Sequence, residues 1–268
     1  LTIWTRKCYK NSLFERGTNP RATCFLLHKE DRCMAGEKTE ARQQFVNFLF
    51  YKVDPAWRRL PPDERAKGKE EFEQVISNYR NDLITVCYST IGIRGDCDMM
   101  LWRISYELET FQSMGGALLA TGLGKYLHTP YSYLSMTKRS IYIDQHVHEG
   151  QEGKRLAIVP GKAKYNFVYP FEKTRDWYLM SQSARQGMMD EHIEVGHKFP
   201  SVRLNTTYSF GIDDQEFMLA FETDKPKDFL DLVHALRGVE ASRYTRRDVP
   251  IFTCIAHSPK EMLDTLGG

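Results

Sequence analysis

The apolar and polar positions in the first half of the chain predict strands and helices in a definite order. Short apolar runs are typical of strands, and longer stretches with apolar residues at helical spacing are typical of helices. Strands are expected at 45–53, 83–93, 97–105 and 132–142, and helices around 70–76 and at 108–119. The order is strand, helix, strand, strand, helix, strand, abbreviated βαββαβ.

The second half of the chain repeats this order. Strands are expected at 165–170, 202–210, 214–222 and 249–256, and helices at 177–198 and 226–240. The last helix is amphipathic, and Pro226 stands at its start, where a proline is well tolerated.

Two hairpin segments resemble each other, namely YSTIGIRGDCDMMLW (88–102) and YSFGIDDQEFMLAF (208–221). Coincidence between two hairpins is the alternative, but their equal positions within two βαββαβ orders favour a duplication. The predicted fold class is therefore α+β. Two ferredoxin-like units pair their sheets into one dimeric α+β barrel, with a cavity against the sheet of each half.

This organisation divides the chain into four parts. Residues 1–40 have no clear periodicity and form an N-terminal extension of unassigned role. Residues 41–143 and 165–268 are the N-terminal and C-terminal ferredoxin-like domains. The polar segment 144–164 joins them, and a loop of this length in a compact protein is usually functional or disordered.

The composition limits the classes of protein that this chain can belong to. Hydrophobic residues make up 41% and charged residues 27%, which is typical of a soluble globular chain, and the net charge of +2 implies no nucleic-acid partner. There is no run of eighteen apolar residues to span a membrane and no apolar secretion signal at the start. The six cysteines form no CxxC pair, which favours reduced thiols and a cytoplasmic location. A redox or metal role for Cys8, Cys24 and Cys33 stays open.

Two residues between 167 and 200 are candidates for chemistry. Tyr169 lies near the end of a predicted strand, and His192 lies in a helical pattern that places Met188 and Val195 on its face. A histidine on the buried face of a helix is either a core residue or a ligand, and spacing alone does not separate the two.

Several sequence segments carry a resemblance to a known family. They are VYPFEKTRDWY, the MMDEH helix, YSFGIDDQEFMLAFETD and ALRGVEASRYTRRDVPIFT, with FVNFLFYKVDPAWRRLPPDER and SYLSMTKRSIY in the first half. Together they resemble the chlorite dismutase-like haem protein superfamily over residues 42–257. The resemblance implies a dimeric α+β barrel, commonly assembled as a homopentamer, with haem in the C-terminal half. It also implies that His192 is the proximal iron ligand, a role that suits neutral imidazole.

The superfamily contains more than one activity, and the distal side of the haem distinguishes them. Chlorite-degrading members have an arginine on the strand after the proximal helix, where this chain has Leu204 with Arg203 beside it. Neighbours on a strand point to opposite faces, so Arg203 does not replace that arginine if Leu204 faces the haem. The resemblance therefore favours the coproheme decarboxylase branch over chlorite dismutation.

In that branch the tyrosine matched by Tyr169 is the redox-active residue. The family mechanism uses hydrogen peroxide to oxidise bound coproheme, and a tyrosine radical then removes a hydrogen atom from a propionate. Loss of carbon dioxide leaves a vinyl group, and a second round gives haem b. The alternatives are a chlorite dismutase, a haem peroxidase, or a haem-binding carrier without chemistry of its own. A transient contact with ferrochelatase is also expected of a decarboxylase.

The propionates of the porphyrin require positive and hydroxyl partners, since unpaired buried carboxylates are unfavourable. The residues carried over for this role by motif position are Lys173, Arg237 and Ser242, with Arg155 and Tyr133 less directly placed. Each of them could equally be a solvated surface residue. Trp177 and Leu204 are expected to line the pocket, with a core role as the alternative for Trp177.

Two linker histidines are candidates for the distal base. His146 or His148 could deprotonate incoming peroxide, because an imidazole titrates near neutral pH. Both could also be exposed loop residues. Glu240 is a candidate partner that orients the His192 ring.

Overall fold

The structure is a computed structural model that describes residues 42–142 and 157–267. In the first of these ranges the elements follow the predicted order. They are β1 (Phe45–Val53), α1 (Pro62–Asn78), β2 (Ile84–Ser89), β3 (Met99–Ser105), α2 (Leu108–Ala120) and β4 (Leu127–Met136).

The second range has the same order with small additions. Its elements are β5 (Tyr165–Lys173), α3 (Arg175–Leu179), α4 (Gln182–His197), β6 (Arg203–Tyr208), β7 (Phe217–Thr223), α5 (Pro226–Arg237), β8 (Thr245–Arg247), β9 (Phe252–His257) and α6 (Pro259–Asp264). A 3-10 turn, Glu240–Tyr244, joins α5 to β8.

The strands form one closed antiparallel barrel. Each half contributes four neighbouring strands in the same order, β4-β1-β3-β2 and β9-β5-β7-β6. The two sheets join through β2 with β9 and through β4 with β6, where Met136 faces Tyr208. The α+β class and the duplicated ferredoxin-like barrel predicted from the sequence are confirmed. The predicted domain boundaries stay a prediction.

The barrel wall is buried on both of its faces in most places, which explains the nearly continuous apolar runs of the strands. Along β1, Phe48 and Phe50 point into the barrel, whereas Leu49 and Tyr51 point outward beneath the helices. Phe50 stacks on Phe252 of the other half, with 4.0 Å between the ring centroids. The interior therefore joins the two halves into one hydrophobic core.

Helices cover the outer face of each half. In the C-terminal half, α5 begins with a proline and buries Phe229 and Leu232 against β5 and β7. Phe229 stacks on Phe167 with 4.0 Å between the ring centroids. Within the described residues, no helix combines the length and apolar character that crossing a membrane requires.

Two predicted elements differ from the structure. The strand expected at 132–142 begins earlier and ends at Met136, because it continues along β1 to the pair of Val53 with Leu127. The helix expected at 177–198 is two helices, because Ser181 starts a new one by accepting a hydrogen bond from the Ala184 N–H (3.2 Å).

Candidate functional site

Tyr169 lies on the outer face of β5, beneath the C-terminal helices. It pairs with Leu219 of β7, and its ring stacks on Phe221 with 5.7 Å between centroids and 14° between planes. Only 8% of the side chain is exposed. The next residue toward the start of the strand, Val168, points the other way, into the barrel. Strand alternation thus places Tyr169 on the face that the helices cover.

The Tyr169 hydroxyl is held in its protonated form. Burial raises its pKa above the ordinary value, the nearby Asp248 carboxylate raises it further, and Arg237 opposes them. No residue in the described ranges forms a hydrogen bond with this hydroxyl. The site therefore keeps a neutral O–H that is able to donate to an incoming acceptor.

Leu204 lies on this same outer face, and Arg203 does not. Leu204 pairs with Phe221 and is 44% exposed. Arg203 donates to the carbonyl of Val159 (2.7 Å) and forms an ion pair with Glu222 (4.0 Å), which is buried inside the wall. The side chains of Arg203 and Leu204 thus lie on opposite faces of β6, as strand alternation predicts.

His192 lies on α4, the helix that begins after Ser181. The helix packs against α5 and the Glu240–Tyr244 turn, and Met188 and Val195 pack loosely against the cluster around Trp177. Burial lowers the pKa of His192 to about 4, the neighbouring Lys173 ammonium also lowers it, and Glu191 opposes them. The imidazole is therefore neutral near pH 7 and has a free lone pair for a metal ion.

Lys173 lies at the end of β5, next to His192. Its Nζ donates to the carbonyl of Ala241 (2.7 Å) and lies 4.5 Å from the centre of the buried Trp177 ring. Burial lowers the pKa of Lys173 to about 8, against the opposing effect of Glu216. A partly desolvated ammonium of this kind is suited to pairing with a carboxylate.

Arg237 and Ser242 adjoin each other at the end of α5. The Ser242 hydroxyl donates to the Arg237 carbonyl (3.0 Å), and the Arg237 guanidinium forms an ion pair with Asp248. Both members of that pair influence the pKa of Tyr169. The structure therefore brings together Tyr169, Leu204, His192, Lys173, Trp177, Arg237 and Ser242 around the outer face of the C-terminal sheet.

Tyr133 is placed elsewhere. It points into the barrel, where its ring stacks on Tyr131 and meets the edge of Phe50 at 6.4 Å. Burial raises its pKa to about 12. The reason is strand alternation along β4, which turns Tyr133 and Ser135 inward together. The structure does not bring Tyr133 to the face that carries Tyr169.

The remaining predicted residues do not enlarge the site. His146, His148 and Arg155 lie outside the described residues, as do Cys8, Cys24 and Cys33. Glu240 donates its backbone N–H to Glu191 (3.1 Å), and its carboxylate is 3.8 Å from Arg243. In the described part of the chain, no hydrogen bond joins Glu240 to His192.

Two acidic residues of the site were not found by sequence reasoning. Glu216 accepts hydrogen bonds from the Lys173 N–H (2.7 Å) and the Tyr178 hydroxyl (2.6 Å), and so it fixes the end of β5. Asp248 pairs with Arg237. The sequence distance from each of these acids to its partner does not predict a contact. Each partner lies on a different strand or turn, and the tertiary fold brings the two together.

A comparison with protein-family models matches residues 39–257 to the family described as chlorite dismutase. The chain belongs to the chlorite dismutase family. This confirms the resemblance seen in the sequence, and the match spans both halves of the barrel.

Relatives of the family agree with this assignment. The coproheme decarboxylase of Mycolicibacterium smegmatis is 31% identical over 223 residues, covering 82% of this chain and 94% of that protein. Chlorite dismutase from Candidatus Nitrospira defluvii, solved in complex with imidazole, gives a TM-score of 0.75 at 24% identity, covering 82% of this chain and 94% of that one. A mutant of the same enzyme gives 0.76 at 24% identity, with the same coverage. At this identity the structural likeness shows the fold alone.

Proposed function

We propose that this chain binds iron-coproporphyrin III (coproheme) on the outer face of its C-terminal sheet and converts it to haem b with hydrogen peroxide. The observation that carries the proposal is the buried, protonated Tyr169, which shares a face of the sheet with Leu204 and lies on the strand that ends at Lys173, the neighbour of His192. The relative named coproheme decarboxylase supports the choice of substrate.

The residues present fit an iron porphyrin. A porphyrin supplies four in-plane nitrogens, so a single protein ligand is sufficient, and the neutral His192 imidazole suits iron. The apolar surface it needs is provided by the exposed Leu204 and by the partly buried Met188 and Met189 of α4. When bound, the iron supplies the redox chemistry that no side chain of this site can perform alone.

The cationic and hydroxyl groups at the edge of the site suit the propionates of the substrate. Lys173 is partly desolvated, so a carboxylate beside it gains more than it would at an exposed lysine. Arg237 and Ser242 approach from the end of α5. Arg155 remains a predicted fourth partner from the linker. These contacts would fix which propionate faces Tyr169.

Tyr169 is proposed to remove a hydrogen atom from the β-carbon of a propionate. It would do so as a phenoxyl radical. The oxidising equivalent supplied by hydrogen peroxide first removes a hydrogen atom from the phenol O–H, which burial keeps protonated, and the hydrogen atom taken from the propionate then restores that O–H. For each propionic acid, one hydrogen peroxide is consumed, and one vinyl group, one carbon dioxide and two waters are formed. Two rounds convert coproheme to haem b.

Peroxide needs a base to take its proton, and Leu204 cannot act as one. We propose that His146 or His148 of the linker has this role, because a neutral imidazole accepts a proton near pH 7. Replacing each with alanine, singly and together, tests this. The role is excluded if the double variant consumes peroxide at the wild-type rate.

The position of Arg203 argues against chlorite dismutation as the main activity. Its guanidinium is engaged with Glu222 and the Val159 carbonyl and does not lie on the Tyr169 face. A peroxidase or a porphyrin carrier would bind the same ligand without changing its propionates, and product analysis separates these outcomes from decarboxylation.

We also propose an oligomeric state, a partner and a cellular location for this chain. A homopentamer is expected by analogy with the family, and mass photometry tests it. A transient complex with a ferrochelatase would deliver the substrate. A cytoplasmic location is supported by the thiols of Cys87, Cys97 and Cys254, which are free and buried in the described part of the chain.

The Tyr169→Phe variant tests the central role directly. We expect it to bind ferric coproheme with wild-type affinity but to form no vinyl product on addition of peroxide. Tyr165→Phe is the matched control, since Tyr165 lies four residues earlier on the same face of β5 and should retain activity. Decarboxylation by Tyr169→Phe at the wild-type rate would overturn the proposal.

A further inference from the structure

A second concave site lies in the N-terminal half, far along the barrel wall from the strands that carry Tyr169. It is a pocket of about 430 Å³ between α2 and the outer faces of β1, β3 and β4. Pockets that hold small ligands in proteins range from roughly 300 to 1,000 Å³. The site therefore has room for a small organic molecule.

The most unusual residue of this pocket is Arg103. Only 5% of it is exposed, and its guanidinium donates to Asn47 Oδ1 (2.7 and 3.1 Å) and to the Phe111 carbonyl (3.2 Å). Both acceptors are neutral, and among the described residues no carboxylate forms an ion pair with this guanidinium. These contacts use three of the five N–H groups of the guanidinium, which lines the pocket.

Burial of this charge is unfavourable without an anion. It lowers the pKa of Arg103 to about 10, although arginine stays protonated near pH 7 even so. Replacing buried charges with apolar residues is often neutral or stabilising, so an unpaired buried arginine is not explained by stability.

In the C-terminal half of the barrel, the strand positions equivalent to Asn47 and Arg103 hold apolar residues. Asn47 pairs with Arg103 across β1 and β3, and Phe167 pairs with Phe221 across the equivalent strands β5 and β7. The fourth residue of the covering helix is a phenylalanine in both halves, Phe111 in α2 and Phe229 in α5.

In the C-terminal half, Phe229 closes the space by packing on both partners, at 4.0 Å from Phe167 and 5.1 Å from Phe221. In the N-terminal half the same positions hold an amide and a guanidinium beside an open pocket. The duplicated fold thus has one position filled by aromatic rings and one buried polar position that lines a pocket.

We propose that this pocket binds a small organic monocarboxylate. The Arg103 side chain suits a carboxylate, which planar guanidinium groups bind with favourable geometry. Leu108, Phe111 and Leu134 provide apolar walls for the rest of the ligand. The exposed Glu109 also lines the pocket, and its negative charge disfavours a phosphate dianion more than a monoanion.

The first test is a calorimetric titration of the full chain with benzoate, with benzamide as the neutral probe of equal shape and inorganic phosphate as the dianion. We expect benzoate to bind with a dissociation constant of about 1 mM or tighter. Benzamide and phosphate should each bind at least about tenfold more weakly. Equal binding of benzoate and benzamide, or no benzoate binding, overturns the proposal.

Variants then locate the binding. Arg103→Met should reduce benzoate affinity at least about tenfold. Because that change alters a buried residue, Gln112→Trp provides an independent test by filling the pocket from the exposed face of α2. Ser113→Trp is its matched control, being exposed on the next position but not lining the pocket. Unchanged benzoate binding in Gln112→Trp would place the anion elsewhere, for example on the C-terminal cations, and would overturn the assignment.

Discussion

Leu204 and Arg203 are neighbours on β6 whose side chains lie on opposite sides of the barrel wall. Leu204 pairs with Phe221 on the outer face, and Arg203 reaches inward to Glu222. This arrangement keeps the Arg203 guanidinium off the face that carries Leu204 and Tyr169. It also separates two functions within one dipeptide, since one residue faces the proposed substrate and the other stabilises the barrel.

Substituting these two residues should have different consequences. Leu204→Glu places a negative charge against the proposed tetracarboxylate substrate and should weaken coproheme binding at least about tenfold. Arg203→Gln should leave binding unchanged but lower the free energy of unfolding by about 1–3 kcal/mol, because the buried Glu222 carboxylate loses one of its partners. Porphyrin titration and urea denaturation measure the two effects. Loss of coproheme binding in Arg203→Gln, at unchanged stability, would contradict the placement of Arg203.

Removing the proposed iron ligand should change the spectrum of the bound porphyrin. His192→Ala should lose the imidazole-ligated spectrum and recover it on addition of free imidazole. His234→Ala is the control, because His234 is exposed on α5. A wild-type spectrum from His192→Ala without added imidazole would exclude His192 as the ligand.

Because Asp248 forms an ion pair with Arg237, we expect Asp248 to compete with a propionate of the substrate for the Arg237 guanidinium. Asp248→Asn should tighten coproheme binding about threefold at low salt, because the guanidinium is then available to a propionate. Asp231→Asn removes the acidic member of another ion pair on α5, with Lys227, and should have no effect. Weaker binding after Asp248→Asn would indicate that Asp248 positions Arg237 instead of competing for it.

The described cysteines should be unreactive in the folded protein. Burial raises the pKa of Cys87 to about 12 and that of Cys254 well above its ordinary value. At pH 8 roughly one Cys87 in 10⁴ is a thiolate, which is the reactive form. In a variant with serine at positions 8, 24 and 33, a thiol reagent should label the native protein negligibly and the unfolded protein fully. Rapid labelling of the native variant would show that the barrel opens readily.

The order of elements could be predicted from the sequence because it depends on local patterns. The hairpin resemblance between 88–102 and 208–221 indicated the duplication, and the alternation of β6 correctly separated Arg203 from Leu204. The break at Ser181 was missed because a single serine cap is a weak signal inside a long amphipathic stretch.

Contacts between distant parts of the chain could not be predicted in this way. Tyr133 was expected among the propionate partners, yet its side chain points into the barrel, because the register of β4 against β1 decides its face. The pair of Arg237 with Asp248 and the bonds of Glu216 depend on how strands and turns meet. The pocket at Arg103 could not be predicted either, because it depends on how each half of the barrel fills equivalent positions between its sheet and its helix.

The most direct test of the account is to add ferric coproheme to the purified protein, titrate it with hydrogen peroxide, and follow the porphyrin by mass spectrometry. We predict two successive conversions of a propionate to a vinyl group, each with loss of carbon dioxide, ending at haem b. Bound coproheme that keeps all four propionates while peroxide is present would contradict the proposed decarboxylase function.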